Sequence, residues 1–248
     1  MNNSHAIFML ILRLSSCMHQ FSRDFRNSEE IHFLECNSWR VAVEANNLNP
    51  WKNVPLECVN FIEQYINGEA YQMDLKTVAK QASDYAKSVE FLADGKEIWV
   101  FDIDDTLLSN IPYYKNHNYG FNVFDPSEFD KWMEKAESPS INASLKLYNE
   151  VVNLGYKVVL LSGRSERHRA VTEMNLMKCG FPMWDKLILR GPEDHGKMAV
   201  VYKSEKREEM VNKGFRIVAN YGDQWSDLLG FVTSGRSFKV SNPMYYIP

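Results

Sequence analysis

Ile98-Trp99-Val100-Phe101-Asp102-Ile103-Asp104-Asp105-Thr106 is the stretch that decides the architecture. Four consecutive apolar residues predict a strand buried on both faces, which occurs where helices cover a parallel sheet from either side. The run stops abruptly at the acidic residues 102, 104 and 105. Asp102 and Asp104 share one phase of the alternation as the chain leaves the sheet, so their carboxylates converge on one spot. Like charges held that close require a cation or a shared proton to offset them.

Outward from that point, apolar runs recur at 158–161, 187–189 and 215–219, with stretches of helical spacing between them. Strand and helix therefore alternate. This predicts an α/β fold, a doubly wound parallel sheet of the Rossmann type, with functional groups gathered at the carboxyl ends of the strands. Upstream, Asp74 reads as the N-cap of an amphipathic helix with apolar positions at 75, 78, 79, 82, 85, 86 and 89, ended by Asp94-Gly95. Residues 21–73 form an N-terminal extension with some helix; its stretch 21–60 is broken by Asn47, Asn49, Pro50, Asn53 and Pro55. The main domain is expected over 74–248. Between its first two strands lies an insert at about 108–154, rich in aromatics (Tyr113, Tyr114, Tyr119, Phe121, Phe124). It reads as a crossover helix plus a small flap over the sheet edge, and groups contacting a substrate's alcohol portion are expected between Tyr113 and Phe124.

Three further stretches carry candidate chemistry, two of them directly at strand ends. Ser162-Gly163 follows the second strand, and a hydroxyl with a backbone amide there makes a phosphate cradle, although Ser before a helix is more often an N-cap. Gly222-Asp223-Gln224-Trp225-Ser226-Asp227 follows the fourth, with carboxylates four residues apart that can reach one metal or merely cap a helix. Lys203 is expected just before the helix that ends at Gly214, where it either meets a phosphate or Asp102 or lies in solvent. For the first acidic stretch, magnesium is the economical partner, being a hard cation that takes oxygen ligands and keeps water and phosphate in its shell. A calcium loop of the EF-hand kind fails, since Leu107 stands where the turn needs Gly and Tyr113 where a bidentate Glu belongs.

Composition narrows the function classes. The 248 residues are 45% hydrophobic and 24% charged, enough for a full core, and the net charge of -4 comes with no clustered Lys or Arg. No basic stripe is available for a nucleic-acid backbone. The apolar run 6–12 is far short of the roughly 20 residues a membrane span needs. It has the shape of a secretory signal within 1–20, with Ser15, Ser16 and Cys17 before a cut; against it, Arg13 interrupts the run and no basic residue precedes it. A disordered or misassigned start is the other reading. The four cysteines, 17, 36, 58 and 179, have no zinc-site spacing. Cys36 and Cys58 suit a disulfide in an exported protein and two buried thiols otherwise. Asn142-Ala143-Ser144 is a glycosylation sequon if the chain enters the secretory path.

The order of paired Asp, Ser, Lys and paired Asp resembles the haloacid-dehalogenase-like phosphohydrolases, whose four motifs are matched by Asp102 with Asp104, Ser162, Lys203, and Asp223 with Asp227. Longer phrases narrow the resemblance to the plant acid phosphatases and vegetative storage proteins of subfamily IIIB: Ser38-Trp39-Arg40, residues 101–114, 189–197 and 202–207, and the closing Asn242-Pro243-Met244-Tyr245-Tyr246-Ile247-Pro248. The resemblance implies an acid phosphatase in which Asp102 is the nucleophile and Asp104 the proton donor and acceptor, with a carboxyl pKa near the working pH. Thr106, Ser162, Gly163 and Lys203 then contact the loop or the phosphoryl group. Mg2+ is held by Asp102, by Asp104 through its backbone carbonyl, and by Asp223 and Asp227. The partner is a small phosphorylated substrate, with neither nucleic acid nor membrane, and the location secreted or vacuolar. A homodimer is carried as the expected assembly, without a motif for it. The alternative is a storage protein with weak or vestigial activity, and Tyr221 beside the metal loop is bulkier than the family leads one to expect.

Overall fold

A computed structural model describes residues 28–92 and 94–248; the apolar stretch 6–12 and the signal expected there lie outside them. Along the chain, helix α1 covers 28–44, followed by α2 (Val59–Asn67), α3 (Glu69–Ser88) and strand β1 (Glu97–Phe101). The insert carries α4 (Ile111–Lys115) and α5 (Pro126–Glu134), and α6 (Asn142–Asn153) makes the crossover to β2 (Lys157–Ser165). Then come α7 (Arg169–Lys178), β3 (Lys186–Arg190), α8 (Ala199–Asn212), β4 (Arg216–Gly222), α9 (Trp225–Leu228) and β5 (Arg236–Lys239).

All strand pairings are parallel, in the order β3-β2-β1-β4-β5. The chain winds from β1 outward through β2 and β3, then returns to the other side of β1 for β4 and β5. The strand order therefore switches between β1 and β4, where an α/β sheet opens a crevice beyond its carboxyl ends. Period-two alternation along β1 supplies both faces with core. Ile98 and Val100 meet Val159, Leu161 and Ile217 beneath Tyr202 and Met210 of α8. Trp99 and Phe101 join the larger cluster with Ala79 and Ala82 of α3 and Leu147 and Tyr148 of α6. Each such fully buried large side chain contributes about 1.5–3 kcal/mol relative to exposure.

Strand β5 is absent from the sequence reading, because Arg-Ser-Phe-Lys holds a single apolar residue and the strand lies at the sheet edge. Its place depends on Phe238, whose ring stacks on Trp99 two strands away (centroids 6.1 Å, interplanar 9°). On β4 between them, the small Ala219 pairs with Trp99, while Phe238 pairs with Tyr221 two residues further along the strand.

Helix α3 begins at Glu69, so it crosses the boundary expected at 73/74, and Asp74 is not its cap. Gly68 occupies the N-cap, where a Cβ would lie 2.6 Å from the Gln64 carbonyl oxygen, so α2 runs almost directly into α3. The Asp74 carboxylate accepts a 2.6 Å hydrogen bond from the Tyr65 hydroxyl instead. The described part of the stretch 21–60, residues 28–60, is less irregular than its Asn and Pro content suggests. A disulfide joins Cys36 of α1 to Cys58 in the turn before α2. Glu44 at the end of α1 accepts from Lys239 Nζ at 2.8 Å and from the Asn242 N–H at 2.7 Å.

In the insert, Tyr113, Tyr114 and Tyr119 are buried as core, whereas Phe124 is exposed. Tyr221 is buried too. It packs edge-on against Phe101 at 5.6 Å, so its bulk does not narrow access to the metal loop. Asn142 is exposed at the start of α6, while Ser144 of the same sequon is buried and donates to the Tyr221 hydroxyl at 3.3 Å.

Candidate active site

The loop after β1 is built by alternation and one unusual backbone conformation. Asp102 N–H donates to the Tyr221 carbonyl at 3.0 Å, which carries the β1–β4 ladder to the last residue before the turn. Ile103 points into the core, so Asp102 and Asp104 lie on the opposite side. Asp105 has φ of 51°, and its N–H closes the loop on the Leu108 carbonyl at 2.7 Å. Its buried carboxylate accepts from Asn110 N–H (2.8 Å) and the Tyr245 hydroxyl (2.9 Å). Burial pushes this carboxyl up to about 7, against the pull of those donors.

Asp102 is buried beside two elements that arrive from far along the chain. Lys203 lies inside α8, and its Nζ donates to Asp102 Oδ1 at 2.5 Å and also to Asp227 Oδ1. Burial alone would lower the ammonium's pKa, but the charges of Asp102 and Asp227 outweigh it and hold Lys203 above its ordinary value. Asp223 follows β4 directly. Thr106 Oγ1 donates to its Oδ1 at 3.1 Å and accepts its N–H at 3.0 Å. Asp227 Oδ2 accepts the Gln224 N–H at 2.9 Å, the capping expected of an acidic side chain in a first helical turn.

The carboxylate oxygens of Asp102, Asp223 and Asp227 lie within 4.8 Å of one another. Burial, then the charge of Asp227, pushes the Asp102 carboxyl well above its ordinary range, although Lys203 pulls the other way. The same two causes raise Asp223 to about 7. One ammonium is too little positive charge for this cluster, and three hard oxygen donors at that spacing fit a divalent cation.

Asp104 is handled differently. Arg164 grips its carboxylate as a fork, Nε to Oδ2 at 2.9 Å and Nη2 to Oδ1 at 2.8 Å, and Asn110 Nδ2 adds a third bond at 2.8 Å. Burial would raise its pKa, but Arg164 and Asn110 outweigh that and hold the carboxyl below its ordinary value. Its protonated form is thereby confined to more acidic solution than that of an ordinary carboxyl. The Arg164 fork also turns the carboxylate away from the metal cluster, so any share of Asp104 in a metal falls to its backbone carbonyl.

Asp102, Asp104, Gly163, Lys203, Asp223 and Asp227 line one cavity of about 400 Å³ at the carboxyl edge of the sheet. Phe124, Phe129 and Met133 of the insert form an apolar wall opposite them. Thr106 and Ser162 are fully buried and do not line it. The Thr106 hydroxyl is committed to Asp223, and Ser162 Oγ accepts the Arg164 N–H at 3.2 Å, so both bond to the loops that frame the cavity. Sequence reasoning assigned no role to Arg164, Asn110, Gln224 or Arg207. Arg164 is the most legible of them, because it directly follows Ser162-Gly163. Arg207 is buried and donates to the Asp227 carbonyl at 2.6 Å, which a lysine- and arginine-rich helix face does not reveal.

Gly222 permits the last strand end to meet α9. A Cβ there would lie 2.4 Å from Asp227 Oδ2 and 2.6 Å from Asp227 Cβ. Gly222→Ala is expected to push Asp227 out of its bonds to Lys203 and Gln224, costing about 1–3 kcal/mol by overpacking. Urea unfolding checks this, and an unchanged midpoint would show that the loop absorbs the methyl freely.

The description "HAD superfamily, subfamily IIIB (Acid phosphatase)" matches residues 21–248. Acid phosphatase 1 of Solanum lycopersicum is 58% identical over 214 residues, covering 86% of this chain and 84% of that protein. Vegetative storage protein 2 of Arabidopsis thaliana is 41% identical over 220 residues, covering 88% and 82%. Among solved structures, the class C acid phosphatase of Bacillus anthracis with tungstate bound superposes with a TM-score of 0.58 at 22% identity, over 76% of this chain and 85% of that one, a likeness of fold. With its parallel sheet, its acidic loops at the switch point and these similarities in hand, the chain belongs to the haloacid-dehalogenase superfamily, subfamily IIIB, the acid phosphatases.

Proposed function

We propose that this chain is a magnesium-dependent acid phosphatase that hydrolyses phosphate monoesters through an aspartyl-phosphate on Asp102. The observation that carries the reading is the meeting of Asp102, Asp223, Asp227 and Lys203, drawn from three separate stretches, at one end of the cavity. Asp102, Asp223 and Asp227 would hold the Mg2+, which supplies positive charge to the transferring phosphoryl oxygens.

The chain's own groups divide the work. An Asp102 carboxylate oxygen attacks phosphorus, the ester P–O bond breaks, and the leaving oxygen takes a proton from Asp104. Water then attacks the phosphoaspartate, gives its proton to Asp104, and phosphate departs with Asp102 restored. Lys203 keeps the Asp102 carboxylate fixed and partly neutralised. Arg164 and Asn110 keep Asp104 in one orientation. Because these two also depress the Asp104 pKa, acidic solution is needed to populate its proton-donating form, which agrees with an acid working range.

The similarity to vegetative storage proteins supplies a second reading, a nitrogen store with residual chemistry. Retention of Asp102 together with every group that surrounds it favours the enzyme. Passage through the secretory route to the cell exterior or the vacuole is supported by the Cys36–Cys58 disulfide, which persists in oxidising compartments, and by similarity to the Stem 28 kDa glycoprotein of Glycine max.

Phosphate release from a simple aryl phosphate, measured from pH 4 to 8, is the deciding experiment. Activity is expected to peak on the acid side, to vanish after exhaustive chelation and to return on adding Mg2+. Full activity in the chelated protein would contradict the metal assignment, and no activity in any condition would favour storage.

A further inference from the structure

After β5 the chain runs back across the mouth of the crevice as residues 240–248, the segment whose Asn-Pro-Met-Tyr-Tyr-Ile-Pro phrase no catalytic motif accounts for. The geometry points to this segment as a strap that positions the acidic centre, with Asn242 as the positioning residue of Asp223. The inference rests on the reading of Asp223 as a metal ligand.

Asn242 is 4% exposed. Its Nδ2 donates to Asp223 Oδ2 at 2.7 Å, while its Oδ1 accepts the Met244 N–H at 3.0 Å in an Asx turn. The turn fixes which end of the amide faces the carboxylate. A second donor on the same oxygen is Gln224 Nε2 at 2.8 Å, and Gln224 is itself held by the strap through the Ile247 N–H to its Oε1 at 3.0 Å. With Thr106 on Oδ1 at 3.1 Å, both oxygens of Asp223 carry neutral donors. Amide and hydroxyl donors orient a carboxylate without cancelling its charge, so that charge stays available to a cation. Lys203, by contrast, orients Asp102 and neutralises it.

The strap also anchors the neighbouring stretches. The Tyr245 hydroxyl donates to Asp105 at 2.9 Å, and its ring stacks on Tyr114 of the insert (centroids 4.9 Å, interplanar 19°). The Pro248 carbonyl accepts the N–H of Ala199, the first residue of the helix that bears Lys203, at 2.8 Å. At its other end, Ser241 Oγ and Asn242 N–H are bonded to Glu44 at 3.1 and 2.7 Å, which ties the strap to the extension. One nine-residue segment thus contacts the loops of Asp105 and Asp223 and the start of α8.

Outer partners of metal ligands typically account for 10–100-fold in metal affinity. In the full-length protein, Asn242→Ala is expected to weaken Mg2+ binding about tenfold or more, read by isothermal titration calorimetry of the chelated protein with Mg2+ alone. The metal-free melting temperature should stay near that of the wild type, and kcat should recover at saturating Mg2+. A purely structural role would instead move the melting temperature and leave the dissociation constant alone. Asn242→Ser is the companion variant: its hydroxyl can keep the turn to Met244, yet it is too short to reach Asp223, so it should weaken Mg2+ to the same degree even if the alanine variant folds poorly. Wild-type Mg2+ affinity in the serine variant would overturn the strap's role while leaving the functional reading intact. A wild-type protein that binds no Mg2+ would remove both.

Discussion

Asp102→Asn is expected to lower kcat for phosphate release by about 10⁴-fold or more while the protein stays folded. The amide has the shape of the carboxylate and the backbone N–H bond to the Tyr221 carbonyl is untouched, but the amide oxygen is too poor a nucleophile to open the ester. No neighbouring group can take over. Asp223 is held by Thr106, Gln224 and Asn242, Asp227 by Lys203 and the Gln224 N–H, and Asp104 lies in the fork of Arg164. Stability should not fall with activity. Asp102 is buried and raised by the charge of Asp227, so removing its negative charge relieves repulsion in the metal-free state. A thermal melt in chelator beside a rate assay reads both effects. A variant turning over at a tenth of the wild-type rate or faster would refute the nucleophile assignment.

Lys203→Met should damage both activity and stability. The methionine preserves much of the aliphatic stem's volume but leaves the Asp102 and Asp227 carboxylates buried with no countercharge between them. Removing one partner of a buried ion pair costs about 3–5 kcal/mol, because the remaining charge stays desolvated and unpaired. The loss is expected in chelator and should shrink when Mg2+ is added, since a cation shares the neutralising role. It should also grow with pH. In the folded protein the Asp102 carboxyl already lies above its ordinary value, so the folded state keeps a proton that the unfolded state has released. That contribution is present at the acid end and is lost as pH rises through the folded value. Urea unfolding at pH 4 and pH 7, with and without Mg2+, tests all three statements. A deficit independent of pH and of metal would mean that Lys203 contributes packing alone.

What could be read in advance and what could not follows the range of the forces involved. The strand at β1 and the acidic break after it are legible because burial on both faces demands an unbroken apolar run, and charge cannot continue it. The strand β5 is not, since its one apolar residue, Phe238, gains its place from Trp99 and Tyr85, both remote from it in the chain. Helix α3 shows the same limit. Asp74 has the chemistry of a cap, yet Tyr65 takes its carboxylate and Gly68 caps the helix six residues earlier. Asp104 was legible as a site residue but its titration was not, because Arg164 reaches it from 60 residues away.

By itself, the amino-acid sequence determined the alternation of buried strands and amphipathic helices, and with it the carboxyl edge at which Asp102, Gly163 and Asp223 emerge. Those are consequences of side-chain periodicity, which acts over a few residues. Only the tertiary structure decided which group meets which: the ammonium of Lys203 between Asp102 and Asp227, Arg164 on Asp104, and the neutral donors of the closing strap on Asp223. Coulombic and hydrogen-bond partners are chosen by distance in space within a desolvated crevice, and that distance exists only after strands remote in the chain have been brought side by side.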